Sequence, residues 1–207
     1  MYKNFFKRLI DFLIALCGLP FVAIIFVVVA PLIWLEDKGP VFYNAPRRGK
    51  DGKTFKMYKF RSMYVNSPDI KNKDGSTYNG EDDPRVTKIG KILRKTSLDE
   101  TPQLLNILKG DMSIIGPRPT LPNKPLSEVA PERLIALKMR PGLTGYSQAY
   151  FRNSITSDEK LKNDVYYVEN VTMLMDIKIF IQTAMSVLRR KNIYVNQEMK
   201  TEEKTKA

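Results

Sequence analysis

From Phe12 to Leu35 the chain carries no charged residue and is built largely from Phe, Ile, Val, Leu and Ala. As a straight helix this run would extend roughly 36 Å at ~1.5 Å per residue, enough to cross the hydrocarbon core of a bilayer. It is longer than the apolar region of a signal peptide, and no A-x-A-like cleavage site follows it. The segment is therefore expected to stay in the mature protein.

The flanks constrain how it meets the membrane. Lys3, Lys7 and Arg8 precede it, and Lys38, Arg47, Arg48, Lys50, Lys53, Lys56, Lys59 and Arg61 follow. Between Arg47 and Arg61 the only acid is Asp51. Positive charge favours the cytoplasmic side, and here both flanks qualify. Pro20, just after Gly18 and Leu19, removes a helix hydrogen bond and forces a kink. A re-entrant helix, bent near Pro20 and leaving on the side it entered, satisfies both flanks. A crossing helix with a tolerated proline remains the alternative on these features.

A chain of 207 residues suits one domain with one core beside such a segment. Its formal charge of +12 draws it to membrane surfaces, nucleic acids or phosphorylated substrates without choosing among them. Histidine is absent, which excludes Ser-His and Cys-His nucleophile systems. Cys17 is the only cysteine, which excludes an internal disulfide and a Cys/His zinc site. Chemistry is left to carboxylates, Lys, Arg, Tyr, Ser and Thr, with any metal held by oxygen.

After Lys38 the pattern predicts an α+β, mainly helical body. Val41 to Ala45 and Thr54 to Phe60 read as strands of a β-hairpin, with an Asp51-Gly52 turn. Ser67 to Pro84, with Gly75 and Gly80, reads as a loop. Helices are expected over Arg85 to Lys95, Ser97 to Leu108, Pro131 to Lys138 and Asp176 to Lys191. The last is amphipathic, with Ile177, Phe180, Ile181, Ala184, Met185 and Leu188 on one side, suited to the core or to a membrane surface. Gly116-Pro117-Arg118-Pro119 must be a stiff extended elbow. The charged tail after Gln197 is expected to be disordered.

Ser97-Leu98-Asp99-Glu100 carries two readings. Ser97 with Glu100 is a capping box, so the residues could simply start a helix. Alternatively, an Asp held ionised at a helix N-terminus can attack an electrophilic phosphorus, while the neighbouring Glu holds Mg²⁺ against a diphosphate. Phosphoryl transfer also needs cations, for which Arg94, Arg118 and Arg140 are candidates, with Arg118 fixed by its flanking prolines. Lys59 and Arg61 would share one face of a strand and grip a phosphate or meet lipid headgroups. Asp164 is read as a supporting residue.

Several stretches together resemble one family. They are Lys7-Arg8-Leu9-Ile10-Asp11, Tyr58-Lys59-Phe60-Arg61-Ser62-Met63, Ser97-Leu98-Asp99-Glu100-Thr101-Pro102-Gln103-Leu104 and Leu108-Lys109-Gly110-Asp111-Met112-Ser113. Gly116-Pro117-Arg118-Pro119, Arg140-Pro141-Gly142-Leu143-Thr144-Gly145 and Asp164-Val165-Tyr166-Tyr167-Val168 complete the set. In this order they resemble the monotopic phosphoglycosyl transferases, the bacterial sugar transferase family.

The resemblance implies a re-entrant membrane helix over 1–38 broken at Pro20, and a catalytic domain over 39–191 with amphipathic interface helices. The remaining tail is 192–207. It implies Asp99 as nucleophile, Glu100 as Mg²⁺ ligand, and phosphate binding by Lys59, Arg61, Arg94, Arg118 and Arg140, with Asp164 and Gln148 in support. The donor would be a UDP-sugar and the acceptor undecaprenyl phosphate, with UMP released. The site would face the cytoplasm at the bacterial inner membrane, in assembly of surface glycans such as O-antigen or capsule. Membrane lipids are expected partners, nucleic acid is not, and homo-oligomerisation is left open. The chain is expected to be the minimal form, with nothing before the apolar segment to add membrane helices.

One stretch departs from the family's W-A-Q-V-N-G-R-N. Here it is Tyr146-Ser147-Gln148-Ala149-Tyr150-Phe151-Arg152-Asn153, which bears on sugar specificity rather than on chemistry. Two rivals stand beside this reading. A basic membrane anchor or nucleic-acid binder would explain the charge but not the acidic pair among arginines. An aspartyl-phosphate phosphohydrolase would deliver its product to water instead of lipid.

Overall fold

A computed structural model of the chain describes residues 1–70, 78, 80–152 and 154–189. Gly75, Asn153, Arg190, Lys191 and the tail from 192 to 207 lie outside the described residues. The apolar segment forms α1 (Lys7–Asp37), preceded by a short π-helical turn over Tyr2–Phe6. By length and composition it could cross a membrane. The helix runs on through Pro20 and Pro31.

One stripe of α1 is buried: Lys7, Asp11, Ala15, Val29, Ala30 and Ile33. Much of the rest is exposed, including Phe21, Ile24 and Val27. The polar members of the stripe are paired. Lys7 Nζ donates to Asp176 Oδ2 at 2.7 Å. Asp11 accepts from Ser113 Oγ at 2.6 Å and from the Ile114 amide at 2.9 Å. Burial of these charges is thus matched by hydrogen bonds, as it must be away from water.

The hairpin forms from β1 (Phe42–Arg48) and β2 (Thr54–Phe60), paired antiparallel from Phe42↔Phe60 to Arg48↔Thr54. β1 runs past the expected end at Ala45. Pro46 has no N–H to donate, and a two-stranded ribbon tolerates it at an outer edge. The Asp51-Gly52 turn appears as expected, with φ of 55° and 78°.

The second expected helix is different. α2 (Lys88–Thr96) ends at Ser97, which sits in the left-handed region with φ 59°. Ser97 makes no side-chain cap, so the anticipated capping box does not form. Leu98–Glu100 is a short 3-10 turn, and α3 (Gln103–Lys109) begins after Pro102. Proline has no N–H to donate but suits a helix start, so the chain breaks and restarts there.

β3 (Ser113–Ile115) and β4 (Gly142–Thr144) pair in parallel, a contact not foreseen from the sequence. Gly116 lies where this pair closes: a Cβ there would sit 2.4 Å from the Arg140 carbonyl oxygen. α4 (Pro131–Ala136), α5 (Tyr146–Tyr150), α6 (Ser157–Asn170) and α7 (Met173–Arg189) complete the body. α7 starts three residues before the expected Asp176. It buries Asp176 and Ile179 and exposes Ile177, Phe180, Ile181 and Leu188. The apolar side is thus turned outward rather than into the core.

Two clusters hold the body together. The larger joins Ala15 of α1 to Met57, Ile107, Met112, Ile114, Ile115, Tyr167 and Ile179. The smaller joins Val29 and Ile33 of α1 to Phe60 and Leu93. The membrane-type helix is therefore part of both cores, through its two halves.

Candidate active site

Asp99 and Glu100 occupy the 3-10 turn between α2 and α3. Asp99 is buried, whereas the Glu100 side chain keeps 38% of its surface accessible. β2 brings Lys59 between them. Its Nζ lies 2.5 Å from Glu100 Oε1 and 4.0 Å from Asp99 Oδ2. A single ammonium is shared by two carboxylates, so their negative charge is only partly offset.

Further cations surround the pair. Arg94, from α2, acts on Asp99, and Arg118 and Arg152 act on Glu100. Arg94 Nε also donates to Ser62 Oγ at 3.0 Å. Arg118 follows the buried Pro117 and is exposed. Asp164 holds this elbow by accepting from the Arg118 amide at 3.4 Å, and it meets Arg133 Nη1 at 3.5 Å. Asp164 thus supports the arginine rather than facing the carboxylates. The charge of Arg118 is felt in turn at Arg47 and Lys160, which extends the basic rim.

Other residues named from sequence stand apart. Arg61 forks onto both oxygens of Asp37, with Nε donating to the Pro40 carbonyl at 2.5 Å. Its donors fasten the end of α1, so the structure gives Arg61 an anchoring place instead of one facing Glu100. Alternation alone would put Lys59 and Arg61 on one face, but β2 ends at Phe60, which frees Arg61 to turn away. Arg140 Nε donates to the Gly110 carbonyl at 2.7 Å and closes the end of α3. Gln148 lies beside Gly145, and its buried Oε1 has no hydrogen-bond partner among the described residues.

Arg152, Arg47, Lys160 and Ser62 were not singled out for the site from sequence. Arg152 is in the left-handed region with φ 52°, directly after the clustered rings of Tyr146, Tyr150 and Phe151. Lys160 could have been found from its spacing, four residues before Asp164 on one helix face.

Electrostatics separate the two acids. Burial pushes the Asp99 carboxyl up to about 6 against the pull of Lys59 and Arg94, with Glu100 adding to the rise. This reverses the expectation that a helix N-terminus keeps Asp99 readily ionised. Burial also raises Glu100, but Lys59, Arg118 and Arg152 outweigh it and hold Glu100 below the usual range. Asp164 is likewise pushed up to about 6 by burial. One acid poised to titrate beside one held ionised is an arrangement that divides roles between them.

Among the described residues no three acids, cysteines or histidines gather as a ready-made metal cage. The oxygen-only pair Asp99–Glu100 nevertheless fits a magnesium ion of the kind that relies on one or two carboxylates and completes its shell with substrate phosphates and water. Lys59, shared between the two carboxylates, marks the corner where positive charge is favoured.

Residues 2–190 match the family model described as bacterial sugar transferase. The chain is 42% identical over 191 residues to the galactosyl transferase CpsE of Streptococcus agalactiae serotype III, covering 88% of this chain and 42% of that protein. It is 37% identical over 209 residues to the undecaprenyl-phosphate galactose phosphotransferase of Salmonella typhimurium, covering 93% and 42%. It is 39% identical over 200 residues to the exopolysaccharide production protein ExoY of Sinorhizobium fredii, covering 91% and 88%. The chain therefore spans less than half of the first two relatives and most of the third. With the match running through α1, the Asp99–Glu100 corner and α7, the chain belongs to the bacterial sugar transferase family.

Proposed function

We propose that this protein transfers a sugar-1-phosphate from a UDP-sugar to undecaprenyl phosphate, through a covalent intermediate on Asp99. The observation that carries the reading is the pair of carboxylates sharing Lys59, with the charges of Arg94, Arg118 and Arg152 acting on them. The family membership and the phosphotransferase relatives support it.

A carboxylate oxygen of Asp99 attacks the sugar-bearing phosphorus of the donor. The bond from that phosphorus to the bridging oxygen breaks, and UMP leaves with the oxygen and its electron pair. A phosphate oxygen of the lipid then attacks the same phosphorus and frees Asp99. Lys59, Arg94, Arg118 and Arg152 offset charge as it develops on the phosphoryl oxygens. Glu100, with donor oxygens, would hold a magnesium ion, which neutralises the diphosphate when bound. The burial of Asp99 keeps its carboxylate poorly solvated once ionised, which suits a nucleophile.

The same reading places α1 as a re-entrant helix on the cytoplasmic face of the inner membrane, over 1–38, beside a catalytic part over 39–191. It is supported by bonds from both ends of α1 to one body. Lys7 meets Asp176 and Arg8 donates to the Ile107 and Leu108 carbonyls, while Asp37 meets Arg61. A crossing would separate these ends across the bilayer. The outward apolar faces of α1 and α7 suit contact with lipid. Single cysteines at Lys3→Cys and Lys53→Cys, in a Cys17→Ser background, should both resist an impermeant thiol reagent in intact cells and react after lysis. Labelling of the first alone in intact cells would establish a crossing.

The activity is tested by a panel of UDP-sugars with undecaprenyl phosphate in detergent micelles, scored for UMP and lipid-linked product. Product is expected with at least one donor and only with magnesium. Release of free sugar phosphate without lipid would make the protein a hydrolase. No turnover across the panel would contradict the proposal.

A further inference from the structure

We propose that Glu36, in the last turn of α1, is a positioning residue for the site, because its carboxylate fixes the start of the helix that delivers Arg94 and Asp99. The proposal rests on reading the Asp99–Glu100 corner as the site of transfer.

A helix leaves its first four N–H groups without internal partners. In α2 all four are taken, and Glu36 takes two. The Thr87 amide donates to the Ser62 carbonyl at 3.1 Å. The Lys88 amide donates to Glu36 Oε1 at 2.6 Å, and the Ile89 amide to Glu36 Oε2 at 3.2 Å. The Gly90 amide donates to Thr87 Oγ1 at 2.9 Å. Both Glu36 oxygens are thus used, from more than fifty residues upstream. A carboxylate at this end is also favoured by the helix dipole.

The far end of the same helix is the site. α2 has nine residues, about 13 Å at 1.5 Å per residue. Gly90 rests against the Ser62 backbone so closely that a Cβ would lie 2.0 Å from its carbonyl oxygen. Arg94 Nε is tied to Ser62 Oγ, and Ser97 then turns the chain into the 3-10 turn that buries Asp99. Leu93 and Leu98 pack on Val29 and Ile33 of α1. The adjacent Asp37 grips Arg61, immediately after the strand that carries Lys59. The last turn of α1 therefore holds both segments that bring cations to Asp99. Arg118 and Arg152 reach Glu100 from other segments and do not depend on this clamp.

Removing the carboxylate should loosen the start of α2 and shift Arg94 and Asp99, impairing the chemical step more than donor binding. The test uses the full chain in nanodiscs of phosphatidylethanolamine and phosphatidylglycerol. Glu36→Ala and Glu36→Gln are compared with the parent by amide hydrogen exchange and by steady-state transfer per folded molecule, the folded fraction being taken from thermal melts. In Glu36→Ala, exchange should quicken at Lys88–Gly90 and carry through to residues 94–100. Its kcat should fall about five- to tenfold, the scale of losing a helix cap. Donor KM should stay within about twofold. Glu36→Gln, which keeps an acceptor oxygen, should recover part of both effects.

Unchanged exchange at Lys88–Gly90 would show that the clamp does not hold α2. Faster exchange confined to those residues, with kcat intact or with KM rising in step, would reduce Glu36 to a local cap. If the parent itself turns over no donor, the reading of the site fails, and exchange at residues 94–100 alone decides whether Glu36 positions them.

Discussion

The Asp83–Arg85 corner and the Asp99–Glu100 corner both set a buried Asp against a cation, and they differ in how their charges are matched. Arg85 donates from its amide and Nε to Asp83 Oδ1, at 3.0 and 2.9 Å, and from Nη2 to Oδ2 at 2.8 Å. Its Nη2 also reaches the Tyr78 carbonyl at 2.8 Å. Both residues are buried, one acid against one fully engaged guanidinium. At the other corner two acids share one lysine, and one of them stays open to solvent. The first arrangement is closed and can only hold the fold. The second keeps unspent capacity for a cation and for phosphate oxygens, which is what a site for phosphoryl transfer requires.

The sharpest way to break this contrast is to remove one acid from each corner. Asp99→Asn should lower UMP release on the order of a thousandfold or more, as loss of a nucleophile does. Its thermal stability should hold or rise slightly, because burial already disfavours the Asp99 charge. Asp83→Asn should behave oppositely. Stranding buried Arg85 should cost about 3–5 kcal/mol of stability, while transfer per folded molecule stays within a few fold. If the two variants exchanged outcomes in melting and turnover assays, the contrast would be wrong.

The next effect concerns Glu100. Glu100→Gln should lose activity together with its response to magnesium, and the parent should stop in excess chelator. Full turnover of the parent in chelator would remove the metal from the account. Arg118→Lys keeps the charge but loses the planar fork, and should cost about tenfold in kcat/KM, or about 1.4 kcal/mol. An unchanged value would leave Arg118 only its place in the elbow.

The smallest effect is in pH dependence. With Asp99 near 6, kcat/KM should rise with pH and level above that value, since the nucleophile must be ionised. Its stability contribution has the opposite sense. A raised folded pKa favours folding most below the ordinary Asp pKa of about 3.9, and that contribution is lost as pH climbs through about 6. Asp83, held low by Arg85 in spite of burial, stabilises above the ordinary range and loses that effect as pH falls through its depressed pKa. Asp164 also titrates near 6, so the profile should be repeated in Asp164→Asn, where the limb should keep its position while the amplitude falls. A limb that moved with Asp164 would reassign it.

Local chemistry was legible in the sequence wherever one signal dominated. The Asp51-Gly52 turn gave the hairpin, and the apolar run gave α1. The capping pattern at Ser97 misled because Pro102 interrupts the helix it would have opened, while a capping box does form at Thr156 and Glu159. Residue types around Asp99 were legible, but their partners were not. Arg61 finds Asp37 upstream of the hairpin, Glu36 caps α2 from across the fold, and Arg152 reaches Glu100 from the far side of α5. Such pairings depend on which segments pack together, and no periodicity within one segment reports them.

The central claim is most directly tested by intact-protein mass spectrometry of the protein mixed with a donor that supports UMP release, with magnesium and without lipid acceptor. A mass increase equal to one phospho-sugar is expected, mapped to Asp99 after proteolysis, absent from Asp99→Asn and discharged on adding undecaprenyl phosphate. UMP release and lipid-linked product at normal rates from Asp99→Asn, with no adduct on the parent, would contradict the account.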